Sequence, residues 1–217
     1  MIQVFRGPRP ATAVLALLSA VTVSSAELVV RDAQTLLLAE PAGFSYHLDS
    51  PSYAGDGKDG FASAGAFEVG GRLSLTRPGD EVGLVLGLDA NLQQASGGPG
   101  SLRSALALGS VGVGWAMTDR WVLLGEARAG LGLSTISLNA TTYSPAFSAS
   151  GQARAYEARL LASYFIAARW RLFVSFGYGQ VDSRYSNHGI ALSIKQTGWN
   201  AGIGVSYAFS RDPVSLK

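Results

Sequence analysis

From Trp199 to Phe209 every second residue is apolar: Trp199, Ala201, Ile203, Val205, Tyr207 and Phe209. Between them stand Asn200, Gly202, Gly204, Ser206 and Ala208. Side chains alternate across a β-strand, so this stretch has one bulky apolar face and one small or polar face. The contrast recurs along the chain in segments of about ten residues or more, separated by turn residues. That pattern predicts a β-barrel that spans a membrane, apolar toward lipid and polar toward its lumen.

Eight strands are expected. The first is read over Ala42–Asp49, with an earlier start near Thr35 left open; Phe44, Tyr46 and Leu48 oppose Ser45, His47 and Asp49. The second covers about Ala64–Thr76, the third Glu81–Gln93 and the fourth Leu102–Ala116. In the fourth, Leu106 and Leu108 are out of phase with Val111, Val113 and Trp115, and a bulge near Gly109 would reconcile them. The fifth covers Trp121–Ser134, the sixth Gln152–Ala167, the seventh Trp170–Val181 and the eighth Trp199–Phe209.

The connections alternate in length. Arg77-Pro78-Gly79-Asp80, Thr118-Asp119-Arg120 and Ala168-Arg169 are tight. Ser50–Ser63, Gln94–Ser101, Ser137–Gly151 and Asp182–Gln196 are longer and rich in Gly, Ser, Asn and Pro. An up-and-down outer-membrane barrel has short periplasmic turns and longer external loops. Trp115, Trp121 and Trp170 flank the short turns, and Tyr207 and Phe209 end the last strand at that level. These five are the expected interface aromatics, with rings half in hydrocarbon and polar atoms in water.

Alternation alone does not say which face is inside, because a soluble lipocalin-like barrel has the opposite polarity. Size and charge decide. One face carries Leu, Val, Ile and aromatic rings. The other carries Gly, Ala, Ser and a few charges, which suits a narrow eight-stranded interior. Glu68, Arg72, Asp89, Glu126, Arg128, Glu157, Arg159 and Arg171 all fall on that inner face. On the lipid face near mid-membrane each would cost several kcal/mol. Strands five and six each carry Glu-x-Arg, so cross-strand ion pairs are expected. The eight charges are read as a salt-bridged plug, with a charged pore lining as the alternative.

Residues 1–26 read as a signal peptide: Arg6 and Arg9, the apolar run Ala11–Val23, then Ser24-Ser25-Ala26. Residues 27–41 are expected to be an N-terminal periplasmic segment, 42–209 the barrel and 210–217 a C-terminal tail. Of 17 Lys and Arg, two lie in the leader, so residues 27–217 balance 15 against 15 Asp and Glu. No basic patch argues for nucleic acid. Cysteine is absent, so stability without disulfides falls to inter-strand hydrogen bonds closed into a ring.

Motifs for chemistry are sparse. His47 and His188 are the only histidines, and without cysteine a transition-metal site is not expected. No G-x-S-x-G, Walker A or H-E-x-x-H occurs, and no cofactor is expected. Arg184-Tyr185-Ser186-Asn187 resembles the His-x-Ser-Asn motif of the outer-membrane lipid A deacylase family, in which His activates Ser. Here Arg stands in place of the base, and no acid lies between Gly189 and Phe209. The triad logic is therefore incomplete at Ser186.

The ending Gly204-Val205-Ser206-Tyr207-Ala208-Phe209 resembles the terminal signal of bacterial outer-membrane barrels. With the leader and eight strands, the chain resembles the OmpA/OmpX/OmpW-like group. That resemblance implies an all-β, eight-stranded antiparallel up-and-down transmembrane barrel in the bacterial outer membrane. It also implies insertion by the barrel-assembly machinery, with outer-membrane lipid and lipopolysaccharide as surroundings; a monomer is expected. The expected role is non-enzymatic: envelope structure, or surface interaction through external loops bearing Tyr53, Tyr143, Phe147 and Tyr185. A narrow passive channel for small or apolar solutes is the first alternative, and a lipid A-modifying enzyme the second.

Overall fold

The alternating stretches form eight strands: β1 (Val29–Asp49), β2 (Ser63–Thr76), β3 (Val82–Gly97), β4 (Gly100–Ala116), β5 (Trp121–Leu138), β6 (Phe147–Phe165), β7 (Trp170–Asn187) and β8 (Ile190–Ala208). The computed structural model describes residues 29–49, 63–76, 80–97, 100–140, 146–187 and 189–209, with side chains of 41–49, 63–64 and 190 outside that description. The expected leader and tail, Tyr53, Tyr143 and His188 also lie outside it. Each strand pairs antiparallel with the next, and β8 pairs with β1 to close the ring. Closure leaves no sheet edge around the ring, so backbone groups are satisfied without water.

The bulky apolar face is outside. Leu88 is 70 % exposed, Leu131 65 % and Val174 54 %, whereas Glu126, Arg159 and Arg171 are buried. A continuous apolar exterior of this kind belongs in lipid. The short turns at the end where β1 begins and β8 ends are built locally. Met117 N donates to Trp121 O at 3.0 Å and Ile166 N to Trp170 O at 3.0 Å. The Thr118 hydroxyl accepts from the backbone N–H groups of Arg120 and Trp121.

Four expectations need correction. First, β1 begins at Val29, so residues 29–41 are barrel wall rather than a periplasmic segment. Leu36 and Leu38 point inward while Leu37 points out, so both faces are apolar there and the alternation disappears from the sequence. Second, β4 has no bulge at Gly109: its register runs unbroken against β3 and β5. Leu106 and Leu108 are buried inside and Trp115 is outside; the lumen lining, not the strand phase, changes character. Third, the outer ends are shorter than expected. β3–β4 closes at Gly97↔Gly100 and β7–β8 at Asn187↔Ile190. Gly189, at φ +80°, supplies the left-handed residue that the second of these hairpins needs. Fourth, Phe147 and Tyr185 are not loop residues: they lie in β6 and β7 and are buried in the lumen.

Candidate functional site

The lumen is stacked in layers. Nearest the short turns, Arg171 pairs with Asp32, and the Arg171 guanidinium lies 4.2 Å from the Phe165 ring centre. Next comes an apolar layer of Leu36, Leu38, Val85, Leu124, Leu161 and Phe173. A charged layer follows. Beyond it lie Leu106, Leu108, Ala153, Ala155 and Val181. A second apolar cluster, including Leu102, Ile136, Phe147, Tyr185, Leu192 and Ile194, fills the outer end.

The charged layer is a chain of alternating sign. Arg72 donates Nε to Glu126 Oε2 at 2.9 Å and Nη2 to Glu126 Oε1 at 3.0 Å, a bidentate fork. Its Nη1 pairs with Asp89. Arg159 links Glu126 through Nε at 2.5 Å to Glu68 through Nη2 at 2.7 Å. Arg128 continues the chain from Glu68 to Glu157, whose Oε2 accepts its Nε at 2.7 Å. The β5–β6 register sets Glu126 opposite Arg159 and Arg128 opposite Glu157. Asn91 donates to Glu68 at 3.1 Å and Asn200 to Glu157 at 2.9 Å, satisfying remaining lone pairs.

Small residues leave the room. A Cβ on Gly177 would stand 2.6 Å from Asn200 Oδ1 and 2.8 Å from Glu157 Oε1, and one on Gly87 would stand 2.7 Å from Arg72 Nη1. Beside Arg128 and Glu157 the interior leaves a void of only about 10 Å³, lined also by Leu108 and Val181. That is room for one water at most.

Of the eight charges read from the sequence, seven meet in this layer. Arg171 does not; it is separated from them by the apolar layer and belongs with Asp32. Sequence reasoning missed Glu40 and Asp32, because both lie in the stretch read as a periplasmic segment. Glu40 is 2 % exposed. Its Oε1 is 3.9 Å from Arg128 Nη2 and 3.8 Å from Arg159 Nη1, and neither of its oxygens has a hydrogen-bond partner. The missed signal was Gln34, Leu36, Leu38 and Glu40 at a spacing of two.

Outside, aromatic rings frame the apolar belt. At the short-turn end, Trp115, Trp121, Trp170 and Phe209 are exposed and Tyr207 is half-buried. The Trp121–Tyr164 and Trp170–Tyr207 ring centres are 4.9 and 5.2 Å apart. Arg120 and Arg169 donate to the Tyr164 and Tyr207 hydroxyls at 3.1 and 3.3 Å. A second group lies further along: Trp199 stacks on Phe176 and meets Tyr178 edge-on, both at 5.0 Å. On β7 these levels span Trp170 to Tyr178. At the usual strand rise and barrel tilt they are about 20 Å apart, close to the height of an apolar membrane band. Above the second group the wall is polar, with Arg103, Thr135, Gln152, Arg154, Arg184 and Lys195 exposed. Ser186 is exposed on this outer wall, on the same face as Arg184, and not in an enclosed pocket.

No protein-family model matches the chain, and no curated protein matches it. Among solved structures it is similar to neisserial surface protein A, at 12 % identity over 82 % of this chain and 97 % of that one, with a TM-score of 0.44. It is similar to the outer-membrane protein AlkL, at 13 % identity over 90 % and 97 % with a TM-score of 0.41. It is also similar to the outer-membrane protease OmpT of Escherichia coli, at 8 % identity over 84 % and 95 % with a TM-score of 0.41.

Proposed function

We propose that this chain is a closed, non-conducting outer-membrane barrel whose work is done by its outer wall, as an envelope-structural and surface-interaction element without catalysis. The observation that carries the reading is the filled lumen: an alternating ion-pair chain held between apolar layers. A hydrated ion passing through would have to break several buried pairs at once, each removal stranding a charge in low dielectric. The surface offered to partners is the polar collar of β4–β8 above the second aromatic group, because two of the expected loops close within a few residues and a third shortens to the eight residues between Leu138 and Phe147.

Planar-bilayer recording of the refolded chain tests this reading. Stable, reproducible single-channel steps would overturn it in favour of a narrow passive channel; a silent membrane after verified insertion is expected. The enzymatic alternative is tested by mass spectrometry of lipid A with and without expression of the chain. An unchanged acyl pattern is expected. A changed pattern lost in Ser186→Ala would replace this reading.

A further inference from the structure

The dipeptide Arg-Trp occurs twice in the chain, as Arg120-Trp121 and Arg169-Trp170. Each arginine is the last residue of a short turn, and each tryptophan opens a strand, β5 or β7. Antiparallel register then sets Trp121 opposite Tyr164 on β6 and Trp170 opposite Tyr207 on β8. The same contacts form at both corners. The arginine carbonyl accepts the N–H of the residue after the tyrosine, Phe165 or Ala208, at 2.9 Å. The guanidinium donates to the tyrosine hydroxyl at 3.1 or 3.3 Å. The tryptophan and tyrosine ring centres stand 4.9 or 5.2 Å apart. Strand pairing dictates the first contact, but it calls for neither a basic side chain nor a hydroxyl.

Each corner is rich in donors and poor in acceptors. A guanidinium has five N–H donors and no acceptor, and a tyrosine hydroxyl that accepts from it still has its own proton to give. Arg120 and Arg169 are exposed, and among the described residues neither is ion-paired. Asp119, next in the chain to Arg120, makes no pair with it. Trp121 and Trp170 are 47 % and 48 % exposed. Leu123 and Leu172, two residues further along their strands, continue the same exterior face. The corners therefore stand where acyl chains end and head groups begin. Trp115, in the same girdle, has a different partner: its indole N–H points to the Glu81 carboxylate at 3.5 Å, so an acid stands where the corners present a cation.

We propose that each Arg–Trp–Tyr corner binds the phosphate of an anionic glycerophospholipid in the leaflet at this end of the barrel. The guanidinium and the tyrosine hydroxyl donate to the phosphate oxygens, and the acyl chains run past the indole onto the apolar belt. Unspent donors call for an anion. The adjoining hydrocarbon face calls for an anion carried on acyl chains rather than a soluble phosphate. No such lipid is expected at Trp115, beside Glu81. The two sites lie at the opposite end from the polar collar and outside the lumen, so their failure leaves the closed-barrel reading untouched.

The test is native mass spectrometry of the full chain in an uncharged detergent, with dimyristoyl phosphatidylglycerol, dimyristoyl glycerol or glycerol phosphate at equal concentration. Phosphatidylglycerol is expected to form two saturable adducts per chain, each about tenfold tighter than dimyristoyl glycerol, and glycerol phosphate none. Arg120→Gln and Arg169→Gln are each expected to remove one adduct, and the double variant both. Tyr164→Phe combined with Tyr207→Phe keeps the rings and is expected to weaken both adducts. Arg103→Gln, which removes an exposed cation from the opposite end, is expected to change neither. Folding of each variant is read from heat-modifiable gel migration. Equal binding of dimyristoyl glycerol, equal binding of glycerol phosphate, adducts indifferent to the arginine or tyrosine double variant, or an equal loss in Arg103→Gln would overturn the proposal. The comparison of the three compounds on the unaltered chain decides it even where a variant does not fold.

Discussion

Arg128 has four carboxylates within 4 Å, those of Glu40, Glu68, Asp89 and Glu157. It joins Glu68 to Glu157 at one end of the ion-pair chain. Replacing it with Gln leaves Glu68 with one guanidinium at hydrogen-bond distance and Glu157 with none. Removing one member of a buried pair costs about 3–5 kcal/mol. Arg128→Gln is therefore expected to lower the unfolding free energy of the barrel, from urea titration in lipid vesicles, by that much. Glu40→Gln is expected to leave that free energy unchanged or raise it, since it removes a buried carboxylate without a hydrogen-bond donor. Equal losses for the two variants would contradict this ordering. Most of the layer was legible as single residues, because each charge interrupts an apolar alternation at an inward position. Glu40 and Asp32 were hidden: around Leu36-Leu37-Leu38 the lumen is as apolar as the lipid face, so position carries no contrast in polarity.

At the level of the strand, period two survived and polarity did not. In β4 the inward residues change from Leu106 and Leu108 to Gly112 and Gly114 without any slip in register. A bulge was inferred because every inward residue was assumed to be small or polar. Strand height was also underread, because Phe147, Tyr185 and Ile194 continue inward beyond the membrane belt and their sequences look like loops. The belt itself makes a clear prediction. Val174 lies midway between Trp170 and Tyr178 on the exterior of β7, so Val174→Arg is expected to cost about 2–4 kcal/mol on the same unfolding measurement. Gln152→Arg, on the polar collar of β6, is expected to cost less than about 0.5 kcal/mol. If both cost the same, the belt does not end where the second aromatic group stands.

For the whole molecule, closure and layering are two separate facts. Closure follows from eight strands of alternating pattern and satisfies the backbone in lipid. Layering sets what the barrel does, because the same ring with a hollow interior would conduct. Strand number and polarity were readable from the chain; the start of β1 at Val29 was not, because both its faces are apolar around Leu36-Leu37-Leu38. Role is written in lumen and wall rather than in the fold, which hosts many activities. Hydrocarbon side chains face the bilayer and the charged interior is packed shut. Because the chain has no cysteine, neighbouring single-cysteine variants at 174 and 175 test it directly in vesicles. A fluorophore on Val174→Cys should be quenched by lipids brominated on their acyl chains, and Ser175→Cys should resist thiol reagents until the barrel is unfolded by heat. An unquenched label at 174 would place Val174 away from the acyl chains, and a freely reactive thiol at 175 in the folded protein would mean an open lumen.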